Sequence, residues 1–66
     1  MKQFNVGDSI IRYITSEKIP MELKITEITE DKIICDDWKF DRKTGAEIDE
    51  ELGWNEYFSG SYMEID

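Results

Sequence analysis

The sequence predicts a small all-β domain, and three observations support this. Short segments alternate between apolar and polar residues, as strands with one buried face do. Turn signals separate these segments about every ten residues, and no segment shows the spacing of an amphipathic helix. At 66 residues the chain is one domain, so we expect almost every large apolar residue to be needed for its core.

The first strand is predicted over Ser9 to Ile14, after a tight bend at Gly7-Asp8. Apolar residues lie on both of its faces, which indicates a strand that curls, as in small barrels. The segment Thr15 to Pro20 is polar and ends in proline, which cannot donate to a central ladder. We therefore predict a loop there that ends at a sheet edge.

The second strand is predicted over Met21 to Thr29, where the alternation places Met21, Leu23 and Ile25 inward. The alternation then breaks, which predicts a β-bulge near Thr26-Glu27.

The third strand begins at Lys32, after a predicted hairpin connection at Glu30-Asp31. The parity of the apolar residues changes at Asp36-Asp37, which predicts a second bulge or a bend. Cys35 lies inside this strand, so we expect its thiol to be buried and unreactive.

The stretch from Trp38 to Trp54 holds the clearest turn of the chain, at Asp41 to Gly45. Asp41 can accept backbone N–H bonds across the bend, and Gly45 can take the positive φ that closes such loops. We predict a β-hairpin around this turn.

The two arms of the hairpin should alternate. Trp38 and Phe40 are predicted on one face, Ala46 and Ile48 should return opposite them, and Glu47 should point outward.

After the hairpin, Asp49 to Leu52 suits a single helical turn with acidic residues near its N-terminal end. Gly53 would close it in a left-handed cap, and Trp54 would fold back onto the core. A Ser59-Gly60 turn and a closing strand over Ser61 to Ile65 complete the chain.

Five short strands with kinks that curl the sheet predict a small, partly open five-stranded antiparallel barrel. An SH3-like barrel is the first choice. An OB-fold is the alternative, but it needs longer strands and often a helix.

The order of these features resembles a known family. The resemblance rests on Phe4-Asn5-Val6-Gly7-Asp8 before the first strand, on Pro20-Met21 at the second strand, and on Cys35 followed closely by Trp38. The chain resembles the YodC-like small bacterial proteins over about its first forty residues, and more loosely the KOW and Tudor barrels. The resemblance implies an SH3-like barrel, and it offers no catalytic residue to carry over.

The composition disfavours several functions. There is no histidine, which removes the usual general base and the commonest metal ligand. A single cysteine excludes an internal disulfide and a cysteine-based zinc site, and it suits a reducing compartment. No run approaches the length of a membrane span. We expect a cytoplasmic, non-catalytic protein, either a monomer or a weak dimer.

The charge is strongly negative and uneven. The net charge is −8. Residues 1–26 hold four bases and three acids, whereas residues 27–66 hold thirteen acids and four bases. The bases are scattered, so direct binding to nucleic acid is not expected.

The acids of the second half could in principle surround a metal ion. An EF-hand loop laid from Asp41 puts Lys43 and Gly45 at ligand positions, Ala46 where glycine is required and Leu52 where the bidentate glutamate belongs. We therefore expect no metal or cofactor, and interpret the acids as a solvated face.

Two functions of different classes remain open. The chain could be an adaptor that binds a basic peptide or protein surface, with the acids speeding encounter and exposed aromatics holding the complex. It could instead mimic nucleic acid and block a DNA- or RNA-binding protein. For the adaptor, one or two aromatics between Trp54 and Tyr62 should be exposed. The candidate binding residues are Trp54, Tyr57, Phe58, Asp49, Glu50 and Glu51.

Overall fold

The computed structural model describes residues 3–65, with the backbone alone for residues 17–19, and this part of the chain forms seven β-strands. They are β1 (Ser9–Ile14), β2 (Glu17–Lys24), β3 (Glu27–Ile28), β4 (Lys32–Cys35), β5 (Trp38–Asp41), β6 (Glu47–Ile48) and β7 (Ser61–Met63). A three-stranded sheet has the order β2-β1-β7, and a four-stranded sheet has the order β3-β4-β5-β6. All pairs are antiparallel, and the described residues form no helix. The predicted all-β class is confirmed, with two sheets that do not close completely.

Strand β1 has its predicted bounds, but the loop predicted over Thr15 to Pro20 is wrong. Only Thr15 and Ser16 form the turn, and β2 begins at Glu17. Proline is tolerated in β2 because this strand lies at the edge of its sheet, where a missing N–H leaves no ladder partner unpaired. Met21 lies opposite Arg12, on the inner side as predicted, yet this edge position leaves it 38% exposed.

The bulge predicted near Thr26-Glu27 is wrong, because the single strand predicted there is two strands, and the chain passes from one sheet to the other at Ile25-Thr26. The N–H of Ile25 donates to the carbonyl of Asp8 at 2.9 Å, and the carbonyl of Ile25 accepts from Gly7 at 2.8 Å. The N–H of Thr26 donates instead to Ile34 at 2.8 Å. Because Ile25 bonds to the residues that lead into β1 whereas Thr26 bonds to β4, this junction is a corner between β2 and β3.

Two tight turns follow. The hairpin predicted at Glu30-Asp31 is confirmed, since β3 and β4 pair on either side of it. The bulge or bend predicted at Asp36-Asp37 is a two-residue hairpin turn, with Cys35 paired to Trp38. Asp36 has a φ of 56°, a conformation that aspartate tolerates. The parity changes because the chain reverses there.

The Asp41 to Gly45 turn is confirmed. Oδ2 of Asp41 accepts the N–H groups of Lys43 at 2.9 Å and Thr44 at 2.7 Å, and Gly45 has a φ of 81°. The carbonyl of Gly45 then accepts the N–H of Met63 at 2.8 Å. This bond joins the turn to β7.

The predicted orientation of β6 is wrong. Glu47 lies opposite Phe40 and is buried, whereas Ile48 lies opposite Lys39 on the outer face. The inward position is stabilised because Arg12 of β1 supplies a counter-charge to Glu47.

The core lies between the two sheets. Its fully enclosed apolar residues are Ile10, Ile25, Ile33, Cys35, Phe40 and Met63, and partly buried residues packed against them are Phe4, Leu23, Ile28, Trp38 and Ile65. The predicted burial of the Cys35 thiol is confirmed. In β7 the predicted parity is also confirmed, with Met63 inward and Tyr62 outward, although the strand ends two residues before its predicted bound.

Candidate interaction site

In the acidic turn, residues 49–53, the chain reverses through the four residues 50–53 rather than forming the predicted helical turn. Asp49 and Trp54 exchange backbone hydrogen bonds of 3.0 and 2.8 Å. This pairing makes the chain reverse between the two residues. Inside the turn, the N–H of Gly53 donates to the carbonyl of Glu50. Gly53 has a φ of 73°, so its predicted left-handed conformation is confirmed.

The side chain of Asp49 holds this turn in shape. Its Oδ1 accepts the N–H groups of Glu51 at 3.0 Å and Leu52 at 3.2 Å. Glu50 and Glu51 are exposed beside it. The turn therefore presents two carboxylates from a backbone that is hydrogen-bonded in place.

The aromatic turn, residues 55–58, follows directly. Asn55 and Phe58 exchange backbone hydrogen bonds, and Oδ1 of Asn55 accepts the N–H groups of Tyr57 at 2.8 Å and Phe58 at 3.1 Å. Tyr57 is 89% exposed and Phe58 is 68% exposed. Both rings stand in solvent on an ordered turn.

Trp54 lies between the two turns and is half-buried. A Cβ placed on Gly60 would lie 2.7 Å from Cζ2 of this indole, so the ring packs directly on the glycine backbone. Tyr62 is the third exposed aromatic of the segment, at 40%. The structure thus exposes one more ring than predicted.

An open groove of about 660 Å³ runs beside the acidic turn. Its lining includes five carboxylates, two ammonium groups and an indole: Asp37, Glu47, Asp49, Glu50, Glu51, Lys32, Lys39 and Trp38. Acid is therefore in excess along it. The groove is adjacent to the four-stranded sheet, whose outer face carries Lys39 and Ile48.

The structure brings some of the predicted site residues together and separates others. Asp49, Glu50 and Glu51 all line the groove. Trp54 is joined to Asp49 through the backbone, while Tyr57 and Phe58 lie on the next turn and do not line the groove. Five of the six residues thus form two neighbouring features, an acidic groove wall and an aromatic turn, and Trp54 lies between them in the chain.

Arg12 and Glu47 are site-forming residues that the sequence did not reveal as a pair. Nε of Arg12 lies 2.6 Å from Oε1 of Glu47, with side-chain exposures of 11% and 6%. The guanidinium carbon lies 5.8 Å from the ring centre of Trp38, within cation–π range. The sequence did offer one sign of this pair. Arg12 lies on the same face of the first strand as Ile10, which indicates a charge that faces the core.

The Cys35 thiol offers no nucleophile to this site. Burial raises the pKa of Cys35, and the neighbouring Asp36 carboxylate raises it further. The thiol therefore stays protonated at neutral pH.

Within residues 3–65, no three carboxylate or thiol groups are arranged to hold a metal ion. In the same part of the chain, the structure contains no helix long and apolar enough to cross a membrane. Comparisons with protein-family models, curated proteins and solved structures find no match to this chain. The resemblance to YodC-like proteins stays a prediction.

Proposed function

We propose that this protein is a non-catalytic interaction module that binds a basic peptide or protein surface through the acidic and aromatic turns. The observation that carries the proposal is the exposure of Tyr57 and Phe58 on a hydrogen-bonded turn. A chain of this size needs its large apolar residues for the core. Two adjacent rings left in solvent are therefore better explained by a partner than by stability.

Charge supports a basic partner. Asp49, Glu50 and Glu51 precede the aromatic turn by three residues in the chain, and they line a groove with excess acid. Acid beside exposed aromatics combines fast electrostatic encounter with apolar contact, and aromatic residues are the commonest hot spots at interfaces. The rigidity of the turns also favours binding, because a hydrogen-bonded turn loses little conformational entropy when it binds.

The direct test is an array of peptides about twelve residues long that vary in lysine and arginine content. We expect micromolar binding by basic peptides that contain apolar residues, and weaker binding by neutral ones. Phe58→Ala or Tyr57→Ala should weaken binding more than tenfold, as hot-spot truncations do. Val6→Ala is the matched control, since Val6 is an exposed apolar residue on the N-terminal loop.

Salt dependence separates the adaptor from a mimic of nucleic acid. An adaptor should keep most of its affinity between low and physiological salt and lose it on one aromatic substitution. A mimic should lose affinity steeply with salt and gradually with each neutralised carboxylate. If Tyr57→Ala and Phe58→Ala both bind basic partners as the unaltered protein does, the adaptor proposal is wrong.

We also propose that the fold is an open SH3-like barrel. The support is that β2 and β3 can be treated as two halves of one strand bent at Ile25-Thr26, one half in each sheet. With β6 counted as a short addition, five strands remain, in the order that such a barrel has. NOEs from residues 25 and 26 to both residue 8 and residue 34 test the double pairing.

A further inference from the structure

A second, smaller cleft lies on the three-stranded sheet, apart from the acidic and aromatic turns. Its volume is about 170 Å³, and its lining residues are Phe4, Ser9, Ile10, Ile11, Tyr13 and Glu64. Sites for drug-sized ligands measure roughly 300 to 1,000 Å³. The cleft therefore has room for one side chain rather than for a larger ligand.

The aromatic wall of the cleft is fixed in place. Tyr13 of β1 pairs with Tyr62 of β7, and the two rings stack with centroids 5.3 Å apart at 25°. Glu64 lines the cleft together with Tyr13, and its carboxylate raises the pKa of Tyr13. The stacking therefore holds the Tyr13 ring in place in a cleft that also contains the Glu64 carboxylate.

The chemistry of the lining selects the occupant. Apart from Glu64, the lining residues carry no ionised side chain, and two of them are aromatic. Glu64 is exposed at the cleft, and a carboxylate can accept several hydrogen bonds. A flat cation that stacks on aromatic rings and forks onto a carboxylate matches this lining, and the guanidinium group has both properties.

We propose that this cleft binds the guanidinium group of an arginine side chain, with the aromatic wall against its plane and Glu64 as its counter-charge. The inference goes beyond the proposed function, because none of its residues lies in the acidic or aromatic turn. It adds a second contact, on the three-stranded sheet, where the protein would bind a single arginine side chain of a basic partner.

The test is an NMR titration of the whole protein with butylguanidinium, and with butylurea as the uncharged compound of the same shape. We expect millimolar binding of butylguanidinium, with shifts concentrated at Ile11, Tyr13 and Glu64. Butylurea should bind about fivefold more weakly, the size expected for an exposed ion pair. Glu64→Gln should remove this difference, whereas Glu30→Gln, which neutralises an exposed acid in the β3–β4 hairpin, should preserve it.

Tyr13→Phe keeps the ring that stacks on Tyr62 and leaves the Glu64 carboxylate unchanged, so butylguanidinium should bind about as tightly as before. Equal affinity for butylurea would show an apolar cleft only, and the inference would be wrong. Shifts confined to residues 49–58 would also overturn it while leaving the proposed function intact. Conversely, if Tyr57→Ala and Phe58→Ala do not weaken the binding of basic peptides, the proposed function is wrong but the inference about this cleft still stands.

Discussion

Arg12 and Glu47 form an ion pair between the two sheets, with Nε and Oε1 2.6 Å apart and both side chains almost enclosed. Arg12 belongs to β1 and Glu47 to β6, thirty-five positions later in the chain. A bond over that separation fixes how the sheets face each other. It also places a charge under Trp38, at the wall of the groove.

Breaking this pair on one side should be costly. Glu47→Ala leaves the Arg12 guanidinium buried without its counter-charge, so we expect the free energy of unfolding to fall by about 3 kcal/mol. Replacing both residues with apolar ones, as in Arg12→Met with Glu47→Leu, should cost much less, because neither charge is then desolvated. Urea unfolding of Glu47→Ala, of the single variants Arg12→Met and Glu47→Leu, and of the double variant that combines these two measures the difference. Additive losses would contradict the pairing.

Two glycines allow a matched comparison. Gly45→Ala should destabilise the protein by several kcal/mol, because its φ is 81° and a Cβ there would overlap the carbonyl oxygen of Met63. Gly53→Ala has a similar φ of 73° but open space around the added carbon, so we expect a loss of about 1 kcal/mol. Thermal or urea unfolding gives both values. Equal losses would show that only backbone conformation matters at Gly45.

The Cys35 thiol should react slowly. It is 1% exposed, and its raised pKa further reduces the thiolate fraction at neutral pH. A disulfide reagent such as DTNB should modify it only as the protein unfolds, with a rate that rises in urea. Ser16→Cys adds a thiol in the exposed turn after β1 and should give a separate fast phase. A single fast phase for both thiols would contradict the burial of Cys35.

Acid should weaken the β3–β4 hairpin through Asp31. The hydrogen bond from Lys32 is the larger cause that holds the pKa of Asp31 below its ordinary value of 3.8, and the bond from Thr29 adds to it. Because the folded pKa is the lower one, this contribution is present above about pH 4 and is lost as pH falls through the folded value. A carboxyl-carbon NMR titration should show the low pKa, and Lys32→Gln should raise it more than Thr29→Ala does. An unchanged pKa in Lys32→Gln would contradict the assignment.

Much of the fold was predictable because local chemistry decides it. Asp41 and Gly45 fix their turn through short-range hydrogen bonds and one backbone dihedral, and both signals are visible in the sequence. The bounds of β1 follow from the bend at Gly7-Asp8 before it and the polar segment after it, and the burial of Cys35 follows from its position inside a predicted strand. The predicted class of fold rests on these local signals.

The wrong predictions at Glu47 and at residues 49–54 share a cause: each depends on a pairing partner that the local sequence does not reveal. Glu47 points inward because it forms an ion pair with Arg12, and no residue near position 47 in the sequence indicates this pair. The reversal at Asp49 to Trp54 depends on backbone pairing between residues five apart, which an acidic run with a terminal glycine does not distinguish from a helical turn. For the candidate site, exposure of some aromatics was predictable, but the groove at Trp38 required the sheet register.

The position of β7 in the chain determines which of the two sheets can form first during translation. The four-stranded sheet joins neighbours in sequence, so its hairpins can form as soon as they leave the ribosome. The other sheet needs residues 61–63 beside a strand made some fifty residues earlier. Its third strand, and the hydrogen bond between Gly45 and Met63, can form only after residues 61–63 have been translated, so this step of folding is long-range and comparatively slow.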